Sequence, residues 1–235
     1  MKFFLPFTPD KSFTVDGADA AHIMKSLRKK AGDTVIFTHG GVDFTCKIES
    51  SDHGVIEFSV ISERPSYSEP NIKVTLFQAY PKQDKLDFIT EKCTELGVGE
   101  IVPFLSSRVI PSPRDFSKKR ERLMRIAESA ARQSGRGLVP QIGAIASFPA
   151  VVESLSEYDL VLFCYENGGA RLSPDLLIGK TKIALIIGAE GGFSSEEAAA
   201  VKNAGGIHIT LGERILRCET APVAALAVIM NLTGN

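Results

Sequence analysis

The stretch Ile183-Ala184-Leu185-Ile186-Ile187-Gly188-Ala189-Glu190-Gly191-Gly192-Phe193-Ser194-Ser195-Glu196-Glu197 decides the fold. Five consecutive apolar residues bounded by a glycine-rich turn fit a strand buried on both faces, as in parallel sheets. Ser194 followed by Glu197 is a capping-box pair, which predicts a helix opening directly behind the turn. Strand, glycine loop and helix in that order are the repeating step of an α/β sheet.

The same rhythm extends on both sides. Downstream, residues 207–211 read as a strand, and a last helix begins near Thr220, with Pro222 tolerated in its first turn. Upstream, residues 72–79, 101–105 and 160–164 are apolar strands. Residues 82–96 form a helix with Leu86, Ile89, Cys93 and Leu96 on one face, ended by Gly97. Residues 116–134 form a longer helix with Leu123, Ile126, Ala127, Ala130 and Ala131 on one side. Strands alternating with helices predict an α/β domain on a mostly parallel sheet.

Residues before 65 read differently. Strands at 34–38 and 42–48 meet through Gly40-Gly41, a hairpin signal, and a third follows at 55–61 with Val55 inward and Glu57 outward. Residues 18–27 read as a short helix with a basic cluster of Lys25, Arg28, Lys29 and Lys30. Several short strands with one helix suggest a small barrel. Arg64-Pro65-Ser66-Tyr67-Ser68-Glu69-Pro70 has a linker's composition, so the expected domains are 1–68 and 69–235.

The 235 residues hold 27 Lys and Arg against 28 Asp and Glu, so any polyanion must be met by a local patch. Composition is that of a globular chain, which excludes whole-chain disorder and coiled coil. Cys46, Cys93, Cys164 and Cys218 form no CxxC pair, and His22, His39, His53 and His208 have no metal-ligand spacing; no metal site is expected. The apolar start at 1–7, broken by Pro6, is too short for a signal peptide's apolar region, the run at 223–232 is too short to span a bilayer, and a cytoplasmic location is expected.

Three features could carry chemistry. In the Gly188 loop, a carboxylate at Glu190 argues against phosphate, and neither GxGxxG nor GK[ST] is present. A neutral or cationic ligand suits it better, and a plain tight turn with an exposed Glu is the competing account. The second is Leu211-Gly212-Glu213-Arg214-Ile215-Leu216-Arg217-Cys218-Glu219-Thr220-Ala221, again between strand and helix. Alone it reads as a solvated loop; beside the first it becomes one wall of a pocket. The third is a stripe of Lys118, Arg122, Arg125, Arg132 and Arg136, which is either solvated surface or a set of phosphate contacts suited to Arg forks.

These segments, with Lys82-Gln83-Asp84-Lys85-Leu86-Asp87, Glu91-Lys92-Cys93-Thr94-Glu95-Leu96-Gly97-Val98 and Glu128-Ser129-Ala130-Ala131-Arg132-Gln133-Ser134-Gly135-Arg136, resemble the bacterial 16S ribosomal RNA (uracil-N3)-methyltransferases of the SPOUT superfamily. That family usually has Pro where this chain has Ala189, and an acidic residue where it has Arg132. The resemblance implies a PUA-like amino-terminal barrel and an α/β domain whose end threads a trefoil knot. It also implies a homodimer, S-adenosylmethionine as cofactor, and methylation of N3 of a uridine in the small-subunit RNA. Ile187, Gly188, Gly191, Leu211, Gly212, Leu216 and Thr220 would then hold the cofactor, with Tyr165 and Glu166 at the end of the preceding strand. Arg217 and Glu190 are the expected catalytic pair. Arg28, Lys29, Lys30, Lys82, Lys85, Arg122, Arg125, Arg132 and Arg136 would meet RNA. The rival readings are a non-catalytic RNA-binding assembly factor and a nucleotide-dependent metabolic enzyme, the latter disfavoured by the missing phosphate motifs.

Overall fold

The computed structural model describes residues 1–109, 115–165 and 168–235. They divide into two compact units, residues 1–69 with 131–138, and residues 70–130 with 139–235. The linker composition at 64–70 thus lies where the first unit's continuous part ends, but its first residues still belong to a strand. The return of 131–138 to the first unit has no sequence signal.

The first unit contains β1 (Phe3–Phe4), β2 (Ser12–Val15), α1 (Gly17–Ala21) continued by wider turns at His22–Ser26, β3 (Thr34–His39), β4 (Val42–Asp52) and β5 (Val55–Pro65). The sheet order is β1-β3-β4-β5-β2, antiparallel except for β1 with β3. This half-barrel wraps around Phe3, Phe37, Phe44, Ile48, Ile56 and Phe58. Gly40 and Gly41 both have positive φ, 57° and 82°, as a two-residue hairpin turn whose twist matches its strands requires. The inward assignment of Val55 is corrected: Val55 is 41% exposed, whereas Ile56 and Phe58 are fully buried. Val55 and Glu57, two apart, share the outer face because strand side chains alternate.

The second unit follows with β6 (Lys73–Ala79), α2 (Lys85–Glu95), β7 (Glu100–Leu105), α3 (Ser117–Ser134), β8 (Gln141–Ile142), β9 (Ala146–Ser147), α4 (Phe148–Ser154), β10 (Leu160–Cys164), β11 (Ala170–Arg171), α5 (Pro174–Leu177), β12 (Lys182–Ile187), α6 (Ser195–Asn203), β13 (Ile207–Thr210) and α7 (Thr220–Leu232). Strand order is β11-β13-β10-β12-β6-β7-β8, with β9 also on β7, and every pair is parallel. Side chains of β12 alternate between two cores. Ile183, Leu185 and Ile187 meet α2, α3 and α7 on one face. Ala184 and Ile186 meet α4 and α6 on the other. This is why the strand is apolar without a break.

Candidate active site

Ligands of open parallel sheets bind beyond the carboxyl ends of the strands. Here β13, β10 and β12 lie side by side, and Cys164 is in register with both Ile187 and Ile209. The loops leaving these ends enclose a crevice of about 430 Å³ lined by Tyr165, Ile187, Gly188, Leu211, Leu216 and Arg217, among others. That volume is in the usual range for a small organic ligand.

The Gly188 loop is a tight turn, closed by the Gly192 amide donating to the Ala189 carbonyl at 2.9 Å. A Cβ on Gly188 would sit 3.2 Å from the Gly192 backbone, so a side chain there would have to push the turn open by a few tenths of an ångström. The buried Gln78 amide of β6 donates to the Gly188 carbonyl at 3.3 Å and pins the turn to the sheet. The predicted capping box is present: Ser194 Oγ accepts from the Glu197 amide and the Glu197 carboxylate accepts from the Ser194 amide. In the second loop, Gly212 adopts φ +113°, a conformation that excludes other residues with little strain.

Charge is concentrated where the loops meet. Lys85 Nζ, at the start of α2, is 2.9 Å from Glu190 Oε1 and 3.2 Å from Glu219 Oε2. The Lys82 amide also donates to Glu190 Oε1 at 3.1 Å. Partial burial alone would raise the pKa of Glu190, but hydrogen bonds from Lys85 and from backbone amides outweigh it and hold it below the usual 4.5. Glu219 is lowered by the same balance, and Lys85 is raised above 10.5, first by its bond to Glu190. Stability from the lowered carboxylates is present above pH 4.5 and lost as pH falls through their folded values. Stability from the raised ammonium is present below pH 10.5 and lost as pH rises through its folded value. The cluster is therefore fully ionised across the neutral range, one ammonium facing two carboxylates. Burial pushes the Cys218 and Cys164 thiols up to about 12, which leaves them protonated and poor nucleophiles. Arg217 is different: its guanidinium is 83% exposed and reaches Glu219 only at 4.0 Å.

Of the expected cofactor residues, Tyr165, Ile187, Gly188, Leu211, Gly212 and Leu216 line this crevice, as do Glu190 and Arg217. Gly191 stands outside the lining, where its carbonyl accepts from Arg108 at 2.6 Å. Thr220 is exposed at the first turn of α7, and Glu166 lies outside the described residues. Lys85, expected at RNA, turns into the crevice instead. Sequence reasoning passed over Cys164 and Ile209 as lining residues; the strand-end rule applied to β10 and β13 would have found both.

The basic stripe does not survive intact. Lys118, Arg122 and Arg125 are exposed, with Arg122 2.8 Å from Asp87. Arg136 is corrected: it is 4% exposed and its guanidinium is 2.8 Å from Glu69, so it is a structural cation. Arg132 is paired with Asp19 at 2.6 Å. Arg28 and Lys30 are exposed, and Lys29 is half-buried.

A glycine-turned crevice at the strand ends of a parallel sheet, joined in one chain to a half-barrel, defines a two-domain α/β protein with a small-molecule site. The family model described as the RNA methyltransferase domain matches residues 68–230, and that of the RNA methyltransferase PUA domain matches residues 15–61. The chain belongs to this RNA methyltransferase family. It is similar to the ribosomal RNA small subunit methyltransferase E of Bacillus subtilis, 30% identical over 97% of this chain and 95% of that protein. The protein of the same description from Mycobacterium bovis is 28% identical over 100% and 93%. Among solved structures, the ribosomal RNA small subunit methyltransferase E of Neisseria gonorrhoeae, bound to S-adenosyl methionine, superposes with a TM-score of 0.85 at 30% identity, covering 98% of this chain and 97% of that one.

Proposed function

We propose that this chain methylates N3 of a uridine in small-subunit ribosomal RNA, with S-adenosylmethionine held in the strand-end crevice. The observation that carries the reading is the convergence of the Gly188 loop and the Arg217 loop on one cavity. The donor set suits this cofactor. Ile187, Leu211 and Leu216 give apolar walls for adenine, and the backbone of Gly188 and Gly212 gives polar edges. The Lys85, Glu190 and Glu219 cluster carries a net charge of minus one beside a ligand whose sulfur is cationic.

When bound, the cofactor supplies a methyl group on a positively charged sulfur. Uracil N3 carries a proton and must lose it to attack, so the chain has to stabilise a developing anion and hold the base in line. Arg217, largely exposed and lining the crevice, is a cation placed to face that anion. Glu190 stays ionised but is tied to Lys85 and to the Lys82 amide, which suits orientation rather than proton transfer. Exposed Arg28, Lys30, Lys82, Arg122 and Arg125, with half-buried Lys29, are assigned to phosphates around a target base that is splayed out of its stack. A homodimer is part of the proposal: Phe88 on α2 and Val228 on α7, two helices that pack together, leave apolar surface in water. The threaded carboxyl terminus and a cytoplasmic location, where ribosomal RNA is found, complete it.

Calorimetry tests the cofactor directly. One site per chain is expected for S-adenosylmethionine, and no heat at millimolar ligand would overturn the reading. Reverse-transcription stops mapped on small-subunit RNA, with and without the protein, then identify the methylated base.

A further inference from the structure

We infer that Lys85 is a positioning residue that fastens the two site loops to each other and so sets cofactor affinity; the cofactor half of this inference rests on the function proposed above. Its ammonium touches one carboxylate from each loop, Glu190 behind β12 and Glu219 behind β13. Two other lysines of this unit each meet two carboxylates of a single segment: Lys92 joins Glu91 and Glu95 of its own helix, and Lys119 on α3 joins Asp84 and Asp87 at the start of α2. Lys85 instead spans 105 residues to Glu190, and reaches past Cys218, whose sulfur is 3.8 Å away.

The anchor is packed into the core, and the middle of one loop is exposed. Lys85 opens α2, whose next residues Leu86 and Ile89 are buried in the sheet core. The middle of the second loop lies in water: Gly212, Glu213, Arg214 and Ile215 are all exposed, Ile215 by 82%. Backbone hydrogen bonds anchor it at its ends, the Gly212 amide on Thr210 Oγ1 and the Thr220 and Ala221 amides on the Arg217 carbonyl. Lys85 is 24% exposed and Glu219 17%, so this pair is shielded better than an ordinary surface bridge. Ion pairs of this kind contribute little to overall stability. Their effect falls on the local opening of the loops, which is the low-stability part of a fold with a ligand site.

The test compares the full-length wild type with Lys85→Met and Lys85→Arg. Amide hydrogen exchange of the unliganded proteins is expected to speed up at 188–192 and 211–219 in Lys85→Met, with the rest of the sheet unchanged. Lys85→Arg, which keeps a cation in reach of both carboxylates, is expected to restore protection. Calorimetry with S-adenosylmethionine and with its demethylated product is expected to show Kd rising roughly tenfold in Lys85→Met, about the worth of two modest ion pairs. Unchanged exchange and unchanged Kd in a Lys85→Met protein that unfolds at the wild-type temperature would overturn the inference. If Lys85→Met does not fold, Glu219→Gln takes its place, and loosening confined to 211–219 is expected; no loosening overturns it. Wild-type protein that binds neither ligand, while Lys85→Met still loosens both loops, would sink the proposed cofactor and leave the fastening intact.

Discussion

The arginine stripe predicted at 118–136 runs along α3 and two residues past its end at Ser134, and its members meet different fates. Arg122 and Arg125, in the part of the helix that belongs to the second unit, are 61% and 77% exposed. Arg132 and Arg136, in the stretch 131–138 that belongs to the first unit, are 24% and 4% exposed. Arg132 grips both oxygens of Asp19, at 2.6 and 3.3 Å, and lies over the Phe3 ring. Arg136 meets Glu69, whose Oε1 also accepts from the Gly137 and Leu138 amides. Helical periodicity says which residues share a face. It does not say whether that face meets solvent or a carboxylate 67 residues away in sequence. A basic stripe is therefore two things in this molecule, a structural clamp at one end and an electrostatic surface at the other.

The largest effect is expected at the clamp. Arg136→Ala leaves the Glu69 carboxylate partly buried without its cation, and breaking a buried pair costs about 3–5 kcal/mol. The midpoint of denaturant unfolding should fall accordingly. A variant with wild-type stability would show that the pair is a surface ornament and would restore Arg136 to the candidate RNA contacts. Arg217 is the opposite case, an exposed guanidinium for which the proposed role is in the reaction. Arg217→Ala is expected to lower kcat/KM for methyl transfer about a hundredfold while leaving unfolding and S-adenosylmethionine Kd unchanged. A loss of cofactor affinity with kcat intact would reassign it to binding.

The contrast also separates what a single sequence can carry from what it cannot. The long apolar strands were readable because both faces are buried: residues 160–164 match β10, and 183–187 match β12 but for one residue. The Gly40-Gly41 hairpin and the Ser194 cap were readable because their chemistry is local. Strands β1, β8, β9 and β11 are each only two residues long, and they exist because a neighbour pairs with them. No periodicity marks them. At the site, the two loops were visible because each follows an apolar strand, and six of the nine expected cofactor residues line the crevice. The roles of Lys85 and Arg136 were hidden because each is decided by carboxylates far along the chain. An ammonium or guanidinium in the sequence looks the same whether it faces phosphate, solvent or Glu190.

The smallest expected effect is at the exposed end of the stripe, and it reads through salt rather than stability. Arg122 holds Asp87 at 2.8 Å, but its side chain is mostly in water, and Arg125 reaches Glu121 only at 3.8 Å. Pairs this exposed are worth little to the fold, so Arg122→Ala with Arg125→Ala should unfold at the wild-type temperature. If both cations meet phosphates, each releases counterions when RNA binds. The dependence of log K on log salt should then flatten by about one to two units. Affinity should weaken similarly for target and unrelated RNA, since phosphate contacts carry no sequence information. An unchanged slope would leave both arginines as solvated surface. A slope that flattens for the target RNA alone would mean that they read a shape peculiar to that site, and the electrostatic half of the stripe would then belong to specificity.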